Sequence, residues 1–136
     1  MLSPTSATFR LFLHVLSASV WVGGQIALAG ILPAVRRSHP TATTTMAQAF
    51  ARVAWPAFGV AVLTGVWNLM AVDITEASSA YQATVLLKIG VAILSGVFAA
   101  VHTVGRTKLA LALGGALGAL CSIAAVFLGI LLHTGR

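Results

Sequence analysis

Four long apolar segments, almost free of charged residues, constrain this chain more than any other feature. Of its 136 residues, 59% are hydrophobic and 7% are charged, and the mean hydropathy is +1.01. A soluble domain is about 45–50% apolar and roughly 25% charged, so this composition excludes both a water-soluble fold and a disordered chain. Each segment reaches the roughly 20 residues that a membrane-spanning helix needs. We therefore predict an all-α integral membrane protein.

The four segments predict one transmembrane domain that occupies residues 1–136 and folds as a four-helix bundle. Pro40 and the threonines that follow it predict a polar turn after the first span, and Pro56 is expected in the first turns of the second. The other two connections are predicted at the acidic stretch after Val72 and at Gly105 to Lys108. The hydropathy pattern places the spans at about residues 9–35, 53–72, 83–104 and 109–132.

The basic residues predict the orientation of the chain in the membrane. Both acidic residues, Asp73 and Glu76, fall in the second connection. Because positively charged connections are retained in the cytoplasm, both termini and the second connection are expected on the outer side. The net charge is +6, but the basic residues are single or paired and form no stripe, so we do not expect nucleic-acid binding. Five of them lie in the first and third connections: Arg36, Arg37, Arg52, Arg106 and Lys108.

Two kinds of small residue within the spans carry structural predictions. Cys121 is the only cysteine, which excludes an intrachain disulfide and a cysteine-pair metal site, and it is expected to pack as a small apolar side chain. Gly114 and Gly118 are four residues apart, the spacing that lets two helix backbones approach closely. This approach is expected within the bundle, with contact between two copies of the chain as the alternative.

Ionisable side chains inside the spans are the candidates for function, because such residues are costly in lipid. No span contains Asp or Glu, which argues against proton-coupled antiporters that rely on a membrane carboxylate. At 1.5 Å of rise per residue, His14 lies about 12 Å, and Lys88 about 9 Å, to the outer side of its span's centre. His133 ends the fourth span on that side, whereas His102 lies about 12 Å to the inner side.

The outer layer contains side chains that can bind copper. Met70 ends the second span on the same side as His14 and His133, and imidazole and thioether groups are suitable copper ligands. We therefore predict His14, His133 and Met70 as a metal site. In the alternative interpretation, His14 only forms hydrogen bonds to neighbouring helices, and His133 and Met70 lie at the membrane interface.

A supporting polar network is predicted around these candidate ligands. Trp21 shares a stripe of the first helix with His14 at three- and four-residue steps. Lys88, Ser95 and His102 repeat every seven residues and so share one face of the third helix. For Trp21, the alternative is simple core packing.

Several of these residues belong to stretches that resemble a known family. The segment from His14 to Gly24 resembles the His-x6-Trp-x-Gly-Gly opening of the CopD-type copper-resistance membrane domain. Thr64-Gly65 resembles the Thr-Gly of that family's second span, and Leu86-Leu87-Lys88 resembles its Leu-x-Lys entry to the third. The resemblance covers nearly the whole chain.

This resemblance implies a bacterial inner-membrane protein that binds copper or passes it across the membrane, and that is not expected to be an enzyme. Family members are often fused to a periplasmic copper-binding domain, whereas neither that domain nor a Met-rich or His-rich tail is expected here. His14, Trp21 and Lys88 also look similar to the HemJ-type proteins, which would imply haem b or a porphyrin and an oxidoreductase activity. A third alternative is a small structural subunit without a ligand. The expected partners are the lipid bilayer and either further copies of the chain or another membrane subunit.

Overall fold

The computed structural model describes residues 3–135 and contains four α-helices. They are α1 (Ser6–Ser38), α2 (Pro40–Met70), α3 (Ser79–Val104) and α4 (Lys108–Thr134). Each of the four is long and apolar enough to cross a membrane. The structure thus confirms an all-helical chain with the composition and helix lengths of a multi-pass membrane protein.

Side chains that accept hydrogen bonds from the backbone fix the starts of three helices. The Thr5 hydroxyl accepts a hydrogen bond from the backbone N–H of Thr8 before α1, and Ser78 accepts one from Tyr81 before α3. Thr107 accepts one from Ala110 before α4. These hydroxyls satisfy N–H groups of the first turn, which have no partner within the helix.

The second helix begins earlier than the hydropathy pattern predicts. The polar turn predicted for residues 41–45 is wrong, because α2 starts at Pro40 and includes the threonines. Proline is well suited to the first helical position, where its missing N–H removes no hydrogen bond. The Thr43 hydroxyl donates to the Pro40 carbonyl within the first turn, at 2.5 Å. The break between α1 and α2 is therefore confined to His39.

The sequence predicts Pro56 in the first turns of the second span, but the structure places it in the interior of α2. An interior proline cannot donate the usual hydrogen bond to the carbonyl four residues earlier, and it is tolerated in membrane helices where the freed carbonyl finds another donor. Pro33 is likewise inside α1. Both long helices thus continue past a residue that would end a typical helix in water.

The chain divides after Val72 into two compact units, and each unit is a helical hairpin. In the first hairpin, Trp21 of α1 meets Trp55 of α2, with 5.4 Å between the ring centroids. Nearer the open end of this hairpin, Arg10 is hydrogen-bonded to Asn68. The two contacts give one antiparallel register, which fixes the residues that face each other along the pair.

The second hairpin is held together at the glycines of α4. A Cβ built at Gly114 would lie 2.7 Å from the backbone nitrogen of His102 and 2.8 Å from the carbonyl oxygen of Phe98. At Gly118 the corresponding distance to the Ala99 nitrogen is 3.4 Å. This finding confirms the prediction that the pair lets two helices of the same chain approach closely.

Large apolar side chains cover the outer surfaces of both hairpins. Phe12 is 59% exposed, Leu63 72% and Leu120 62%. Small and hydroxyl residues such as Ser95 and Ser122 are instead buried between helices. Lipid solvates apolar side chains, so membrane helices pack through small residues, and this distribution is the one expected of hairpins in a bilayer.

Candidate functional site

One stripe of α1 faces α2. Ala18 and Gln25 belong to this stripe, and each of its five members is buried or half-buried. The Gln25 amide donates a hydrogen bond to the Trp21 carbonyl one turn earlier, at 3.0 Å. The sequence prediction that His14 and Trp21 share a face is confirmed. The stripe is made of His14, Ala18, Trp21, Gln25 and Leu28.

His14 is held against α2 through one atom of its ring. Its Nδ1 lies 3.0 Å from the Ala61 carbonyl oxygen and 3.1 Å from Thr64 Oγ1. A carbonyl oxygen only accepts, so Nδ1 carries the proton and donates it. The Thr64 hydroxyl donates to the Val60 carbonyl at 2.6 Å, which leaves its oxygen to accept from His14. In this tautomer the lone pair is on Nε2.

Gly65 provides the space for the His14 ring. A Cβ built at position 65 would lie 3.3 Å from His14 Cε1, closer than most side-chain contacts. Thr64 therefore orients the imidazole while its neighbour Gly65 leaves room for it. The two sequence stretches that carry the resemblance in α1 and α2 thus meet at one place in the first hairpin.

Trp21 takes part in an aromatic cluster deeper in the same hairpin. Its ring centroid lies 4.5 Å from that of Phe58, and Trp55 meets Phe58 edge-on at 6.0 Å. The Phe50 ring covers Gly24, where any Cβ would collide with it. Offset and edge-on contacts of this kind stabilise helix pairs. The position of Trp21 is the one expected for core packing.

The structure does not bring Met70 close to the His14 ring. Met70 is the last residue of α2 and is 80% exposed. It lies six residues beyond Thr64, or about 9 Å along the helix axis at 1.5 Å of rise per residue. The contacts that hold the His14 ring are thus made about two turns of α2 before Met70.

The predicted polar face of α3 packs against α4 of its own hairpin. A Cβ built at Gly129 would lie 3.0 Å from Lys88 Nζ, so the ammonium lies directly over that glycine. Ser95 is 2% exposed, and its carbonyl oxygen lies 3.6 Å from a Cβ built at Gly118. His102 Nδ1 donates to the Leu111 carbonyl at 2.6 Å. The shared face is confirmed, and glycines of α4 receive its members.

Lys88 has no hydrogen-bond or ion-pair partner within residues 3–135. His102, which is predicted to share its network, is instead hydrogen-bonded to the Leu111 carbonyl. His133, which is exposed near the end of α4, lies one helical turn beyond Gly129 on the same face. Lys88 and His133 thus mark the same end of the second hairpin.

Within the part of the chain that the structure describes, no three His, Cys, Asp or Glu side chains are grouped closely enough to hold a metal ion.

Sequence reasoning missed one contact near His14. Arg10, one turn before it on α1, donates from Nε to Asn68 Oδ1 at 2.7 Å. The signal was present in the sequence as a basic residue four positions before a span histidine. Its partner could not be identified without the register of α2.

No protein-family model, curated protein or solved structure matches this chain. The likeness to the CopD and HemJ families accordingly stays a prediction from the motifs described above.

Proposed function

We propose that this chain is a CopD-like protein that binds copper or passes it across the bacterial inner membrane, with His14 Nε2 as its principal ligand atom. The observation that carries the proposal is the pair of contacts at His14 Nδ1, which lies within hydrogen-bonding distance of the Ala61 carbonyl and of the Thr64 hydroxyl. Metal-binding histidines characteristically donate the second ring N–H to a carbonyl or hydroxyl oxygen, which orients the ring and raises its basicity. The imidazole is thus prepared for a metal ion on its other nitrogen.

The sparse donor set favours passage of copper over storage. A site with one oriented imidazole and no surrounding cluster of ligands binds Cu(I) weakly enough to release it. Met70 and His133 are proposed as further, transient ligands. Each lies at the end of a helix, and four consecutive spans would put these helix ends on the same side of the membrane as the His14 end of α1. In this role they would receive or deliver the ion rather than hold it with His14.

The proposed orientation places both termini, and therefore the His14 end of α1, on the outer side of the membrane. It is supported by the five basic residues at and near the first and third helix junctions and by the two acids of the second connection. Copper would then meet His14 from the periplasmic side.

A b-type haem or porphyrin protein is the second candidate, and one observation favours it. The hydrogen bond from His14 Nδ1 to a carbonyl is equally suited to an axial haem ligand. Haem would supply one-electron redox chemistry, and His14 would hold the iron.

The experiment that tests both candidates is a comparison of the purified parent with His14→Gln and His14→Ala. Copper content, Cu(I) affinity against a competing chelator, and the visible spectrum are measured for each protein. Glutamine keeps a hydrogen-bonding group near Ala61 but is a poor ligand for copper or haem iron. His39→Gln is the matched control, because His39 is exposed at the opposite end of the hairpin.

Under the copper proposal, the parent binds copper without a Soret band, and both His14 variants lose at least about tenfold in Cu(I) affinity while His39→Gln binds like the parent. A Soret band that disappears in His14→Gln supports the haem candidate in its place. If His14→Gln folds and keeps its full copper and haem content, His14 is a structural donor, and the chain is a subunit without a ligand at this site.

A further inference from the structure

The end of the first hairpin carries a positive charge that the hairpin itself does not balance. Residues 1–72 contain no Asp or Glu. Arg10, in the second turn of α1, is half-buried and has no ion-pair partner among residues 3–135. A half-buried guanidinium at the boundary of a membrane forms strong charge-assisted hydrogen bonds with an anion, and this hairpin supplies none.

The guanidinium is held in a defined direction. Arg10 Nε donates to Asn68 Oδ1 at 2.7 Å, which connects α1 with the last turns of α2. This bond uses one of the five N–H groups of the guanidinium, and the four on its two terminal nitrogens remain. Because Asn68 accepts through its oxygen, its amide nitrogen remains as a further donor beside them. Arg10 and Asn68 thus form a fixed group of hydrogen-bond donors, and the first hairpin supplies no negatively charged acceptor for them.

The neighbouring side chains indicate that these donors lie beside lipid. Phe9 is 55% exposed, Phe12 59% and Leu13 39%, so the same turns of α1 present apolar groups to lipid. The anion available where a lipid-facing helix begins is the phosphate of a phospholipid. Guanidinium binds phosphate with two parallel hydrogen bonds, which makes arginine better suited to it than lysine.

We propose that Arg10 and Asn68 form a binding site for a phosphate group, supplied by a phospholipid headgroup. The site lies one helical turn from His14 but does not depend on copper or haem binding there. Arg10 provides the charge and two donors, and Asn68 fixes the direction of the guanidinium and adds its amide. The acyl chains would lie along the exposed apolar face of α1.

The test measures retention of phosphatidylglycerol by the purified full chain in a neutral detergent, by native mass spectrometry and by the shift in thermal unfolding midpoint. Arg10→Gln is expected to bind at least about tenfold more weakly, the loss that one charge-assisted hydrogen bond predicts. Arg37→Gln is the matched control, because it removes the same charge from an exposed arginine at the other end of the hairpin. Inorganic phosphate is titrated in parallel to distinguish a free ion from a headgroup.

Asn68→Asp keeps the proposal testable if Arg10→Gln fails to fold. This substitution introduces a carboxylate at position 68, opposite the guanidinium. Arg10 then gains an internal ion pair and no longer needs an external anion. We expect a well-folded variant whose unfolding midpoint no longer responds to phosphatidylglycerol. Competition by inorganic phosphate at equal concentration would support the phosphate site but assign it to the free ion. Undiminished lipid retention in Arg10→Gln or Asn68→Asp, or an equal loss in Arg37→Gln, would overturn the proposal.

Discussion

Gly114 of α4 faces the backbone of His102 on α3 so closely that a Cβ at position 114 would lie 2.7 Å from the His102 nitrogen. Atoms of a backbone cannot move aside as the end of a side chain can. The approach of the two helices therefore depends on the absence of a side chain at this position, and the rest of the α3–α4 interface depends on that approach.

Gly114→Ala is accordingly expected to destabilise the second hairpin by about 1–3 kcal/mol, the usual cost of adding a methyl group to a close contact. The measurement is unfolding in mixed micelles, followed by circular dichroism. Gly90→Ala on α3 is the control, because nothing lies within 4 Å of a Cβ built there. Equal stability of the two variants would show that the helices can separate at Gly114 without loss.

Thr64→Val tests the orientation of His14. Valine has nearly the same shape as threonine but cannot accept the hydrogen bond that His14 Nδ1 donates at 3.1 Å. The bond to the Ala61 carbonyl remains, so the fold should persist while the ring becomes less well oriented. Under the copper proposal, Cu(I) affinity should fall by about 10- to 100-fold, the usual loss when a metal-binding histidine loses the partner of its second ring nitrogen. Thr64→Ser, which retains the hydroxyl, should behave like the parent.

Lys88→Met tests whether the ammonium serves stability or a ligand. Lys88 lies over Gly129 with no partner in the described part of the chain, so an apolar side chain of similar length should be tolerated there. We expect the variant to be as stable as the parent, or more stable by up to about 2 kcal/mol, because a charge is removed from the membrane. Clear destabilisation in the same micelle assay would show that the charge has a structural partner.

The Asp73 turn gives a prediction about pH. Thr75 donates its hydroxyl at 2.6 Å and its backbone N–H at 3.1 Å to Asp73 Oδ1, and these bonds hold the pKa of that carboxyl below its usual value. Because the folded-state pKa is lowered, the contribution of this turn to stability is present above the unfolded pKa and is lost as pH falls through the folded one.

Thr75→Val is therefore expected to raise the Asp73 pKa towards its usual value, whereas Thr75→Ser should leave it low. A titration of the Asp73 side-chain carbon by NMR measures both. An unchanged Asp73 pKa in Thr75→Val would mean that the hydroxyl does not set the titration of this turn.

The proposed orientation predicts which connection an impermeant thiol reagent can reach. In a Cys121→Ala background, cysteine is introduced at Ser38 or at Ser79, both of which are exposed at helix ends. Ser79→Cys should react in intact cells, and Ser38→Cys should react only after the membrane is opened. The reverse pattern would place the His14 end of α1 on the cytoplasmic side.

The sequence by itself determined that this chain has four apolar helices, because a run of about 20 residues with almost no charge can satisfy its backbone in lipid only as a helix. It also identified the face of α1 with His14 and Trp21 and the face of α3 with Lys88 and His102, since helical periodicity alone places them together. It did not determine where α2 begins. Hydropathy detects what lies in lipid, whereas the polar first turns from Pro40 onwards are helical because proline and the threonine hydroxyls satisfy the backbone there.

Only the tertiary structure decided which residues face each other across the two hairpins. Periodicity defines a face but not a register, and a shift of one turn between α1 and α2 would leave every hydropathy value unchanged. The observed register pairs His14 with Thr64 and Arg10 with Asn68. Small residues and hydrogen bonds select that register, because lipid solvates large apolar side chains on every face and so gives them no preference for one alignment over another.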